Sequence, residues 1–229
     1  DFEQFMISID KALSFSEPYP SLESLLNMRK QVLEHMQNSR NNNDEIIVYS
    51  RGDLTGNGFL DTVYLTGEKT EGSPFWQNIT LNVLYQHENT LERIYLNQNV
   101  GYNPTIFLGD FTGDQVDDIL VVIDTGGSGG TIYAFVFSFT DGSMQQVFDV
   151  EDFNETSKFQ VLYENYYKVK VISSNPNKQY VLDLAYKGEE YLSEIYDGNG
   201  ILKEPIEGWV DPVGGLYPID FARDGTYEL

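Results

Sequence analysis

From Glu45 onward the chain is a succession of short β-favouring runs, each cut off by Gly, Asn, Asp or Pro. That texture commits most of its length to strands. A first group is expected at Ile46–Ser50, Asp61–Leu65, Ile79–Tyr85 and Leu91–Leu96. A second follows at Thr105–Leu108, Asp118–Ile123, Thr131–Phe139 and Gln145–Val150. A third lies at Phe159–Leu162, Tyr167–Ile172, Gln179–Ala185 and Tyr191–Tyr196, with Ser174-Asn175-Pro176-Asn177 as a turn inside it. Four-stranded units recurring at roughly 55 residues are the signature of propeller blades.

The first 44 residues read differently. Leu22, Leu25, Leu26, Met28, Val32, Leu33 and Met36 recur at helical spacing and predict an amphipathic helix over about 21–39. Ser21 is its expected N-cap, and Glu23 adds a negative charge to a first turn whose dipole favours one. A shorter helical stretch is expected at Phe5–Leu13, and the polar run Asn38–Asp44 ends the helical part. The chain therefore divides into a helical segment, 1–44, and a mainly β region, 45–229, expected to be propeller-like with about four blades of four strands, in closed, open or truncated form.

Two segments of the β region match each other. Asp53-Leu54-Thr55-Gly56-Asn57-Gly58-Phe59-Leu60-Asp61 and Asp110-Phe111-Thr112-Gly113-Asp114-Gln115-Val116-Asp117-Asp118 both follow a glycine and both lead into an apolar strand. Oxygen-bearing side chains stand at positions 1, 3, 5 and 9: Asp53, Thr55, Asn57 and Asp61 in one, Asp110, Thr112, Asp114 and Asp118 in the other. Calcium takes oxygen ligands at about 2.3–2.6 Å from a tightly curled loop, and position 7 of such a loop offers a backbone carbonyl, here Phe59 or Val116. Gly58 permits the bend at position 6, where Gln115 in the second loop is expected to introduce strain. An Asp/Asn/Gly turn needing no metal is the alternative. EF-hands close a longer loop between two helices on a bidentate Glu, so strands flanking a nine-residue run exclude that motif.

These segments resemble the FG-GAP/VCBS repeats, the calcium-loop repeats of integrin-α-type propellers, whose pattern D-x-[DNT]-x-[DN]-G-x-x-D precedes a strand. Asp53–Asp61 fits every metal position, and Asp110–Asp118 fits save for Gln115. The resemblance implies a β-propeller, calcium in the loops between strands, an adhesive, scaffolding or partner-binding role, and no catalytic residue. A third fragment, Asp220 to Glu228, keeps Asp220, Asp224 and Gly225 but has Ala222 at position 3 and Glu228 at position 9. It reads as a degenerate, weaker loop. Asp53 to Asp110 spans 57 residues and Asp110 to Asp220 spans 110, twice 55, which places a metal-free copy near Asn165–Tyr167.

Charge narrows the partners. Fourteen Lys and Arg face 36 Asp and Glu, a net charge of −22. Phosphate neutralisation needs basic patches, so nucleic acid is excluded as a partner, and an anionic membrane surface repels the chain. No apolar run reaches the roughly 18 residues of a membrane span, so no membrane insertion is expected. With no cysteine there are no disulfides and no thiol chemistry. Cations, calcium above all, are the matching partners.

The remaining features carry less. Gly126-Gly127-Ser128-Gly129 forms a loop between two strands and is the candidate contact for a protein or glycan partner. It lacks the Lys and helix of a P-loop. His35 and His87 stand in neither a zinc nor a triad pattern, and no G-x-S-x-G elbow exists. The expected function is a secreted or cell-surface bacterial protein, calcium-binding and not an enzyme, that presents a rigid scaffold to a protein or glycan. A carbohydrate-active enzyme with calcium-stabilised repeats and a purely structural envelope or spore-surface protein are the alternatives.

Overall fold

The computed structural model describes residues 30, 44–174 and 177–229. The expected helices at 5–13 and 21–39 lie outside the described residues, as does the centre of the Ser174–Asn177 turn. The chain divides into two compact units, Asp1–Val150 with Gly215–Leu229, and Glu151–Gly214.

The first unit carries two antiparallel meanders. Strands β1 (Asp44–Gly52), β2 (Asp61–Lys69), β3 (Trp76–Tyr85) and β4 (Thr90–Tyr95) pair in chain order, as do β5 (Tyr102–Gly109), β6 (Asp118–Asp124), β7 (Ile132–Thr140) and β8 (Ser143–Asp149). Alternation builds the core. Val63 and Leu65 of β2, Ile79, Leu81 and Val83 of β3, and Ile119, Val121 and Ile123 of β6 are buried in one cluster shared by both sheets. Asn78, Thr80 and Asn82 of β3 alternate with these and make that stretch of the opposite face polar. Fully burying one Leu, Ile or Val contributes roughly 1.5–3 kcal/mol, so this cluster outweighs any surface charge pair in the unit.

The second unit has its own sheet. After helix α1 (Val150–Thr156), strands β9 (Phe159–Glu164), β10 (Lys168–Ser174), β11 (Asn177–Asp183) and β12 (Glu207–Gly208) pair in the order β11-β10-β9-β12. Its buried cluster is small, Val161, Val169 and Leu184, with Tyr163, Tyr167, Val171 and Leu192 packed on it.

The expected mainly β character is present, with three four-stranded antiparallel sheets among the described residues. One expected strand is wrong. Tyr191–Tyr196 falls largely in helix α2 (Glu189–Ile195). Glu189 and Glu190 sit in its first turn, where the dipole favours them, and Tyr191 and Ile195 recur at four residues instead of two. The fourth strand of that sheet is Glu207–Gly208, too short for periodicity to reveal. The metal-free copy expected near Asn165–Tyr167 is simply the turn joining β9 and β10, with Tyr166 and Tyr167 in left-handed backbone.

Candidate metal centre

All three Asp-containing segments fold into the same loop. Each is closed by an antiparallel pair between the residue before it and its ninth residue: Gly52 with Asp61, Gly109 with Asp118, Ile219 with Glu228. The first carboxylate accepts the N–H groups of residues five and six. Asp53 takes those of Asn57 (3.1 Å) and Gly58 (2.7 Å), Asp110 those of Asp114 (3.2 Å) and Gln115 (2.8 Å), Asp220 those of Asp224 (3.1 Å) and Gly225 (3.0 Å). The fifth side chain accepts from residue seven: Asn57 from Phe59, Asp114 from Val116, Asp224 from Thr226. The ninth accepts from residue two: Asp61 from Leu54, Asp118 from Phe111, Glu228 from Phe221.

The third segment, which sequence alone marks as degenerate, therefore keeps the whole hydrogen-bond frame. Ala222 removes an oxygen at position 3 without disturbing the loop, because none of the bonds common to the three loops uses a side chain at position 3. Thr112 adds to its own loop through its N–H, which donates to Asp110 and Asp118. Gln115 has φ +68°, in the left-handed region where its counterparts are glycines, Gly58 (φ +82°) and Gly225 (φ +95°). The strain expected there is real.

The loops also bond to one another. Asp117 N–H donates to the Asp53 carbonyl (3.1 Å), and Tyr227 N–H donates to the Asp110 carbonyl (2.7 Å). In each case the eighth residue of one loop reaches the first residue of the loop before it. This repeated contact explains the glycine preceding the first two loops. A Cβ on Gly52 would collide with the Asp117 carboxylate, and one on Gly109 would lie 2.8 Å from the Tyr227 ring. Ile219 holds the same place in the third loop, 45% exposed. Sequence reasoning missed Asp117 and Tyr227, although the shared glycine was the available signal.

Negative charge concentrates at these junctions. Burial pushes the Asp117 carboxyl above its ordinary value, and the charges of Asp53, Asp118 and Asp110 add to the rise against the Asp53 N–H. Burial likewise raises Asp61, opposed by the N–H groups of Gln86 and Leu54, and Asp118, opposed by the Ser138 hydroxyl and the Phe111 N–H. Two expected ligand atoms, Thr55 Oγ1 and Asp118 Oδ1, are buried and close no hydrogen bond of good geometry. Among the described residues no group of three or more His, Cys, Asp or Glu side chains is gathered as a metal cluster. The loop frame explains why: Asp53, Asp110 and Asp220 turn both oxygens onto their own backbone N–H groups. The side chains expected as ligands at positions 1, 5 and 9 thus already accept from the loop's own N–H groups, in the Asp53 and Asp110 loops alike.

The other candidates sit apart. Gly126–Gly129 joins β6 to β7, at the opposite end of β6 from the Asp110 loop. It is exposed and pinned at its base by Thr125 and Thr131, whose hydroxyls lie 2.9 Å apart. Gly126 itself lies against the Tyr102 ring, where a Cβ would collide. His87 stacks on Phe59 at 5.1 Å.

A family model described as the YybI C-terminal domain matches residues 157–229. A protein of Bacillus subtilis (strain 168), described as "Uncharacterized protein YybI", is 54% identical over 184 residues, covering 80% of this chain and 70% of its own length. No solved structure matches significantly. Among the described residues no helix is long and apolar enough to cross a membrane. These matches overturn the resemblance to FG-GAP/VCBS repeats. The pattern that suggested it spans nine residues and meets a local need, capping a tight hairpin with a carboxylate, that unrelated chains meet in the same way. At this identity and coverage, the chain belongs to the YybI family.

Proposed function

We propose that the protein is a calcium-braced β scaffold acting outside the bacterial cell or at its surface, where it presents a rigid face to a protein or glycan. The observation that carries this reading is the stack of three identically bonded loops, with Asp117 held among Asp53, Asp110 and Asp118. A divalent cation neutralises such a group, and the −22 charge favours cations over any polyanion. Asp53–Asp61 and Asp110–Asp118 are the principal sites, with Asp220–Glu228 a weaker third. The two meanders, each carrying such a loop between its first and second strands, support a blade-like, propeller-type repeat. We assign no catalytic step. A second reading, bracing alone in a structural envelope protein, is favoured by the bonds that tie the loops to one another.

Thermal melts in calcium and in EGTA, alongside calcium titration calorimetry, test the proposal. The expected result is a calcium-dependent rise in melting temperature with two strong sites per chain. No binding and no shift would reduce the loops to metal-free turns.

A further inference from the structure

The polar face of the first sheet has no role in the scaffold described so far. Its side chains form two rows across the strands: Thr66, Thr80 and Tyr95 in one, Tyr64, Asn82 and Arg93 in the other. Asp44 and Glu68, paired across β1 and β2, stand beside them. Apart from the buried Tyr64, these groups line, together with Asn78 and Asn99, a cavity of about 560 Å³, open to solvent, in which Tyr95 is the one aromatic side chain. That volume lies within the roughly 300–1,000 Å³ typical of small-molecule sites.

Asn82 forms the buried part of the lining, with no exposed surface. Its amide nitrogen faces the Tyr64 and Thr80 carbonyls and the Thr66 hydroxyl, at 3.4, 3.0 and 3.1 Å. Carbonyls only accept, so the nitrogen must lie on that side. Its Oδ1 is then buried with no hydrogen-bond partner. Buried acceptors in folded proteins are nearly always satisfied, so this atom awaits a donor. A bulge lies beside it. The β2–β3 register shifts between Thr66 and Glu68, and Asn78 opposite adopts left-handed backbone (φ +53°). Bulges of this kind re-aim side chains next to binding sites.

We propose that this cavity binds a neutral saccharide. A sugar ring offers hydroxyls that donate and accept at once, and an apolar C–H face. The lining answers each: carboxylates of Asp44 and Glu68 accept, Arg93 donates, amides and threonine hydroxyls do both, and Tyr95, 75% exposed, offers a ring to stack on. Other ligand classes fit worse. Two carboxylates against one guanidinium disfavour phosphates and acidic ligands, and a lining with no aliphatic side chain gives a hydrophobic ligand nothing to bury against. The electrostatics agree with a neutral occupant: burial and the Glu68 charge raise the Asp44 carboxyl, and Arg93 offsets them.

The inference deepens the glycan branch of the function proposed above and rests on that reading. It is tested by NMR titration of the calcium-treated, folded chain with maltotriose, cellotriose and chitotriose. Saturable shifts for at least one sugar, confined to residues 66–68, 78–82 and 93–99, are expected. Tyr95→Ala should weaken that binding at least tenfold with an unchanged melt. Trp209→Ala, which removes an exposed ring elsewhere, should leave it intact. No saturable shift with any of the three sugars, or binding that survives Tyr95→Ala, overturns the proposal and leaves ordered water on Asn82. Calcium binding without sugar binding sinks this inference alone. Sugar binding without calcium binding sinks only the metal reading.

Discussion

At the scale of single residues, backbone geometry and like charge set the behaviour of the loops. Gln115 occupies a left-handed position that costs a side-chain-bearing residue roughly 1–2 kcal/mol, while glycine there loses some of that gain to the entropy of its unfolded chain. Gln115→Gly should therefore stabilise the protein by about 0.5–1 kcal/mol, read as a higher denaturant midpoint at unchanged slope. An unchanged or lower midpoint would mean that the Gln115 side chain contributes contacts that outweigh the strain. The same reasoning separates the two kinds of glycine here. Gly58 needs its positive φ, whereas Gly52 needs the absence of a Cβ, because the Asp117 carboxylate lies where one would stand.

At the scale of elements, the junction between the first two loops is a pH-sensitive seam. Asp117, Asp61 and Asp118 all hold their protons more tightly in the folded chain than their ordinary value of 3.8. The folded state then binds more protons than the unfolded state, so stability falls as pH rises from 3.8 through the raised values, and stays lower above them. In calcium-free buffer these three groups favour the acid side of that window. Asp117→Asn should raise the melting temperature at pH 7 and flatten its dependence between pH 7 and pH 4.5. A variant that melts lower at pH 7, with the slope intact, would show that the Asp117 bond to the Asp53 N–H (3.2 Å) outweighs the repulsion. Calcium opposes the same repulsion, so its addition should flatten the wild-type profile as well.

At the scale of the whole molecule, two compact units imply two cooperative blocks. The loops all belong to the first unit, since Gly215–Leu229 returns to it after the intervening Glu151–Gly214. Calorimetry should resolve two transitions, of which calcium shifts one. At free calcium about a hundredfold above its dissociation constant, that shift corresponds to about 2.7 kcal/mol per site. A single transition moved as a whole would show that the units unfold together. The return of the third loop also accounts for the doubled spacing before Asp220. The chain between is a separately packed sheet instead of a further copy of the repeat.

The sequence by itself determined the elements of local origin. Eleven of the strands were legible because alternation and turn residues are written within a few positions, and so were the loops at Asp53 and Asp110. It also carried a motif too short to establish descent, which is why a nine-residue match pointed to the wrong family. Tertiary structure decided what depends on distant residues. Only pairing across loops reveals why Gly52 and Gly109 are glycines and what Asp117 and Tyr227 do. Only the alignment of β1 to β4 brings Asp44, Asn82, Arg93 and Tyr95 to one cavity, because residues spread over some fifty positions become neighbours through strand register, which no local periodicity encodes.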